Sequence, residues 1–169
     1  MRLLLLVVIG LFSSFVSAKT AEQLRAAYLM QIPSFVRYTD PNHKPYEITF
    51  CFAEQLGPVG ELINAQQQVL RQRLNFSLQV IDTLDSDKLK QCSYLYLSKD
   101  IKNTDRYLEK IVSHTITVGE QESTLSAGAL MALVQEQNKI RIHINQTKLD
   151  ENIISFNARL LALAKVASY

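Results

Sequence analysis

Apolar and polar positions follow two periods along this chain, and the switches between them mark its elements. Leu24, Ala27, Tyr28, Ile32, Phe35 and Val36 recur at helical spacing after Thr20, with Glu22 and Gln23 in the first turn. Residues 20–38 therefore predict a helix, kinked or interrupted at Pro33, which has no N–H to give. Asp40-Pro41-Asn42-His43-Lys44-Pro45 predicts a loop. Tyr46 to Phe52 is rich in β-formers, Leu74 to Ile81 alternates with period two, and Ser93 to Leu97 is compact and apolar; each predicts a strand. Gly57, Pro58 and Gly60 open a short helix through Leu62 and Ile63, and Thr104 to Val112 predicts another, capped by Asn103 or Thr104.

Further on, His114 to Val118 predicts a strand ended by Gly119. Gly128 to Val134 and Lys139 to Ile144 flank Gln135–Asn138 as a hairpin. Leu149, Ile153, Phe156, Leu160, Leu163 and Ala167 step by four and three, with Ile154 and Leu161 widening the stripe. That predicts a closing amphipathic helix, packed on its own sheet and with room for a helix-to-helix contact in a homodimer. Strand–helix–strand alternation implies parallel strands with crossover helices, and the hairpin adds antiparallel pairing. The expected fold is one α/β domain with a mixed five- or six-stranded sheet, helices on both faces and a C-terminal amphipathic helix.

The N-terminal pattern changes the picture. Met1-Arg2 precedes the uncharged run Leu3 to Phe12, and Val16-Ser17-Ala18 places small residues where a signal peptidase reads them. Residues 1–18 are expected to be a signal peptide cleaved after Ala18, leaving residues 19–169 as one exported domain. The apolar run is too short for a stable anchor, and nothing after it has the length of a membrane span, so no membrane insertion is expected. With 18 Lys+Arg against 16 Asp+Glu, and Arg2 lost with the leader, the domain is close to neutral. It lacks the basic stripe of a nucleic-acid binder.

Cys51 and Cys92 both lie in the exported part, where an even cysteine count favours pairing. The bridge would contribute about 4 kcal/mol in the chain-entropy model. Two buried free thiols are the alternative; a metal site is disfavoured because neither cysteine has a second ligand at a metal-type spacing.

Catalytic signatures are missing. The chain has no Gly-x-Ser-x-Gly elbow, no His-Glu-x-x-His, no phosphate loop and no dinucleotide fingerprint. His43 falls in a loop, and His114 and His143 fall in predicted strands beside apolar neighbours, so each reads as structural rather than catalytic. Asp82, Asp85 and Asp87 lack the glycine and closing glutamate of a calcium loop. Asn75-Phe-Ser77 and Asn145-Gln-Thr147 are glycosylation sequons by spelling only. Neither an enzyme, a cofactor nor a metal is expected.

The order of segments resembles the YfiR family. Leu24-Arg-Ala-Ala-Tyr-Leu29 with Phe35-Val36-Arg37-Tyr38 is similar to its opening helix. Ile48-Thr-Phe-Cys51-Phe and Cys92-Ser-Tyr-Leu-Tyr-Leu-Ser98 are similar to its two cysteine strands. Thr115-Ile-Thr-Val-Gly119, Lys139-Ile-Arg-Ile-His-Ile-Asn145 and the close from Ser155 through Arg159 to Ala164 complete the set. The chain departs from the family at Tyr38-Thr39, at Ala127-Gly128 and at His143. The resemblance implies a periplasmic, non-catalytic protein that represses an inner-membrane diguanylate cyclase, lowering cyclic di-GMP and with it biofilm formation. Its partner would be the cyclase's periplasmic domain.

The residues that combine aromatics with arginine, as interface anchors do, are Arg25, Tyr28, Phe35, Arg37 and Tyr38. Tyr28 and Phe35 also suit the core, whereas Arg37 and Tyr38 sit where the chain leaves the helix. The alternative function is a small-molecule sensory module acting on another membrane receptor, with a pocket near Arg141 or His143.

Overall fold

Thr20 begins the first helix of the structure, a computed structural model that describes residues 19–73, 75–81 and 86–169. The leader expected over residues 1–18 lies outside the described residues, as do Leu74, Asp82 and Asp85. The Thr20 hydroxyl accepts from the Gln23 N–H (3.2 Å) and the Gln23 side chain accepts from the Thr20 N–H (3.0 Å), a reciprocal cap that fixes the start of α1, Ala21–Gln31. Pro33 then falls in a 3₁₀ turn, Ile32–Phe35, which leads into a short strand, β1, Val36–Tyr38. The remaining elements, in chain order, are β2 (Ile48–Ala53), α2 (Gly57–Asn64), α3 (Gln67–Arg73), β3 (Phe76–Ile81), α4 (Ser86–Lys90) and β4 (Tyr94–Leu97). After these come α5 (Thr104–Leu108), β5 (Ile116–Gly119), α6 (Glu122–Ser126), β6 (Met131–Glu136) and β7 (Lys139–Asn145). The last are α7 (Gln146–Asp150), β8 (Ile154–Phe156), α8 (Ala158–Leu163) and β9 (Ala164–Ala167).

Seven strands form the main sheet in the order β3-β2-β4-β5-β6-β7-β9, and β1 pairs with β8 in a separate two-stranded ribbon. All pairs of the main sheet are parallel except the β6–β7 hairpin. Because side chains alternate along a strand, the central strands feed two cores. Phe50 and Phe52 of β2, with Tyr94 and Tyr96 of β4, face the larger core beneath α1, α2, α3 and α8. Cys51 and Ala53, with Leu95 and Leu97, face the smaller core, closed by Leu89 of α4 and Tyr107 of α5. The Cys51–Cys92 disulfide, with its Cα atoms 5.7 Å apart, is buried in that smaller core.

The mixed α/β single domain is as expected from the sequence, but several elements differ. The sheet has seven strands rather than five or six, because the chain after Asn145 is not one amphipathic helix. Three asparagines break it. Asn145 Oδ1 accepts from the Lys148 N–H (3.3 Å) and starts α7; Asn152 Oδ1 accepts from the Ile154 N–H (3.3 Å) and turns the chain out of it. Asn157 Oδ1 accepts from the Leu160 N–H (3.1 Å) and starts α8. Such side chains offer the backbone a local alternative to continued helix. The β-branched pair Ile153-Ile154 then extends to meet β1, with Tyr38 opposite Ile154 and Val36 opposite Phe156. Leu163, counted in the apolar stripe, ends 63% exposed.

Other boundaries moved less. The helix expected over residues 104–112 stops at Leu108, His114 lies in a turn before β5 rather than in a strand, and β6 starts at Met131. Gly128, with φ +106°, makes the turn that precedes β6. Helix α3 was not among the expected elements; its Leu70 packs in the larger core.

Candidate functional site

Pro33, Pro41 and Pro45 withhold backbone N–H groups around the exit of α1, where the short strand β1 lies between two 3₁₀ turns. The Asp40 carboxylate accepts from the Asn42 N–H (2.9 Å) and caps a second 3₁₀ turn, Pro41–His43. The Thr39 hydroxyl (2.7 Å) and N–H (3.0 Å) both donate to the Ile153 carbonyl, and the Asn157 N–H donates to the Phe35 carbonyl (2.9 Å). These bonds hold the β1–β8 ribbon beside the amino ends of β2 and β4.

Between the ribbon, the proline loop and the sheet lies a groove of about 470 Å³. Pro33, Val36, Ile48 and Tyr94 form its apolar walls, and Tyr38, Arg37 and Lys44 stand along its side. Tyr94 is fixed by stacking on Phe50, with ring centroids 4.7 Å apart, and Phe50 leans on Phe76 at 5.3 Å. Burial pushes the Tyr38 phenol up, and burial, then proximity to Tyr38, pushes the Tyr94 phenol up further, so both hydroxyls stay neutral. The lining residues therefore carry two cations, the exposed Arg37 and Lys44, and no carboxylate. Such a surface is suited to an apolar side chain flanked by acidic groups.

Of the candidate interface residues, the fold brings Arg37 and Tyr38 together in this groove and separates the rest. Tyr28 and Phe35 pack, half-buried, against the larger core. Arg25, expected as a partner-binding candidate, is buried inside the domain instead. Its Nε donates to the Leu133 carbonyl (3.1 Å) and its Nη1 lies 3.5 Å from Glu120 Oε2, whose other oxygen accepts from the Tyr96 hydroxyl (2.7 Å). Helical spacing put Arg25 on the same face as Leu29, and the core claimed it with that face. Lys44, Pro41, Pro45 and Tyr94 went unnoticed as site residues, although the proline loop itself was legible.

The pair proposed for the sensory alternative is placed apart from this groove. His143 is fully buried in β7, with Nε2 2.9 Å from Glu136 Oε1, and Nδ1 3.0 Å from Glu122 Oε1 and 3.1 Å from the Tyr169 hydroxyl. Its ring ties the hairpin to α6 and to the segment after β9. Arg141 lies exposed on the same strand, its Nε 3.8 Å from Glu136 Oε2. Among the described residues no group of three or more His, Cys, Asp and Glu is placed to hold a metal ion. Nor is any described helix long and apolar enough to cross a membrane.

Solved structures share the architecture at low identity. A conserved domain protein from Vibrio cholerae O1 biovar El Tor is 12% identical with a TM-score of 0.59, over 86% of this chain and 59% of that one. An ABC domain in complex with L-Trp from Streptococcus pneumonia is 11% identical with a TM-score of 0.52, over 87% of this chain and 60% of that one. This chain thus spans about three fifths of either, and the likeness is one of fold. A search of curated proteins finds no match. The family profile described as YfiR/HmsC-like (DUF4154) matches residues 22–165 of the 169. The chain belongs to the YfiR/HmsC-like family, a family of periplasmic regulatory proteins.

Proposed function

We propose that the domain works in the periplasm, without catalysis of its own, by binding the periplasmic part of an inner-membrane diguanylate cyclase and holding it inactive. Family membership supports the regulatory role, and the buried disulfide suits an oxidising compartment. The observation that carries the docking step is the groove, apolar within and cationic along its side, built from the segment where the sequence concentrates Arg37 and Tyr38. Apolar anchors in a pocket with arginine beside them are the composition of interface hot spots.

Repression needs only a difference in affinity. A domain that binds the inactive cyclase about 100-fold more tightly than the active one shifts the balance by about 2.7 kcal/mol. The test is equilibrium binding of the purified domain to the isolated periplasmic domains of the host's membrane-bound cyclases. Binding of one of them, lost in Arg37→Glu/Lys44→Glu, supports the reading; binding of none, or binding indifferent to both substitutions, rejects it.

A further inference from the structure

Strand β3 ends the main sheet, and among the described residues it pairs with β2 alone. The parallel ladder decides which of its backbone groups are spent. The Asn75 carbonyl accepts from the Ile48 N–H (2.6 Å) and the Ile81 carbonyl from the Glu54 N–H (2.8 Å), so the odd-numbered residues turn toward β2. Phe76, Leu78 and Val80 therefore turn their N–H and C=O groups outward, to the open edge of the sheet.

Natural sheets blunt such an edge with lysine, proline or a bulge. The opposite edge follows that rule, since β9 has only four residues and carries the exposed Lys165. β3 does not. Phe76 to Ile81 holds no charge and no proline, and its six residues pair with β2 one for one, without a bulge. Val80 is 38% exposed and Leu78 half-buried, and Val69 of α3, the helix packed on β3, is 50% exposed.

The sequence around the strand indicates what completes this edge. Arg71 and Arg73 precede β3, whereas Asp82, Asp85 and Asp87 follow it, ahead of Lys88 and Lys90. A strand entered through cations and left through anions complements its own antiparallel copy and opposes a parallel one. The outward residues then select a register, because residues that exchange hydrogen bonds across an antiparallel pair stand opposite one another. With Leu78 opposite its counterpart in a second copy, Phe76 meets Val80 on either side of it. About six hydrogen bonds join the chains in that register, with the apolar pairs on the larger-core face and Ser77 beside Gln79 on the other.

We propose that two copies of this domain join along β3, antiparallel about a two-fold axis, into one continuous sheet. The apolar stripe expected to carry a helix-to-helix contact is broken into α7, β8 and α8, and the open strand lies at the other end of the sheet. A strand edge with its flanks is a small interface, so the pair is reversible rather than permanent. This association does not rest on the cyclase: it holds or fails on the purified domain alone.

The experiment is sedimentation equilibrium of residues 19–169 at low salt, from about 5 to 500 μM, joined to cysteine cross-linking. The average mass is expected to climb from monomer toward dimer across that range. Val80→Lys, which places a charge on the joined edge, weakens association at least tenfold at a melting temperature near the parent's. Leu78→Cys, on the two-fold axis, forms an interchain disulfide under mild oxidation at least tenfold faster than Lys165→Cys on the opposite edge. A monomer at every concentration, parent-like association of Val80→Lys, or cross-linking at Lys165→Cys as fast as at Leu78→Cys would overturn the proposal.

Discussion

Arg25 and Glu120 form an ion pair inside the domain, Nη1 to Oε2 at 3.5 Å, with side chains only 6% and 7% exposed. The pair joins α1 to the end of β5 and is completed by the Leu133 carbonyl and the Tyr96 hydroxyl. Removing one member leaves the other charge buried and uncompensated, at a cost of about 3–5 kcal/mol. Arg25→Met and Glu120→Gln each lower urea stability on that scale, and the double variant recovers part of the loss. Additive losses would mean that the two do not interact.

Cys51 and Cys92 clamp β2 to the start of β4. Cys51→Ala/Cys92→Ala lowers unfolding stability by about 4 kcal/mol in the chain-entropy account. Dithiothreitol lowers the parent's unfolding midpoint and leaves the variant's alone. Two free thiols in denatured, unreduced protein would remove the clamp from the account.

Tyr94 and Tyr96 make the domain alkali-sensitive. Burial, then the Glu120 carboxylate, raises the Tyr96 phenol above its ordinary 10.0, and burial raises Tyr94 likewise. A phenol whose folded value is raised stabilises fully below the unfolded value of about 10 and loses that contribution as pH rises through the folded value. Absorbance at 295 nm is expected to show these two tyrosines ionising last, together with unfolding. In Tyr96→Phe the buried phenolate step shrinks by one residue.

Gly119 ends β5 where a Cβ would lie 2.5 Å from Thr124 Cβ, a backbone-anchored atom of the helix that follows. Gly119→Ala is expected to cost about 1–3 kcal/mol by overpacking. Gly57→Ala meets no neighbour within 4 Å and is strained instead by its φ of +58°. Thermal melts of the two variants separate overpacking, read at Gly119, from backbone strain, read at Gly57.

Much of the fold was legible because the central strands are short runs of β-formers, Ile48 to Phe52 and Tyr94 to Leu97, apolar on both faces because each face feeds its own core. The cysteine pairing was legible from an even cysteine count in a chain expected to be exported, and the helix start at Thr20 from the residues of its first turn. The C-terminal third misled because Leu149, Ile153, Phe156 and Leu160 keep a helical step while Asn152 and Asn157 turn the chain, and only pairing with β1 makes Ile154–Phe156 a strand. The groove was half legible. Arg37 and Tyr38 announced themselves by residue type, whereas Tyr94 reaches them across more than fifty positions of chain, a juxtaposition no local pattern encodes. Arg25 misled in the other direction, since its partner Glu120 is equally remote in sequence.

The central claim is repression of a cyclase through the groove of Arg37, Tyr38 and Lys44, and intracellular cyclic di-GMP tests it most directly. The measurement compares the source bacterium with this gene deleted, complemented by the parent, and complemented by Arg37→Glu/Lys44→Glu at matched periplasmic abundance. Cyclic di-GMP is expected to rise on deletion, to fall with the parent copy, and to stay high with the groove variant. An unchanged level on deletion under several growth conditions, or full repression by the groove variant, would contradict it.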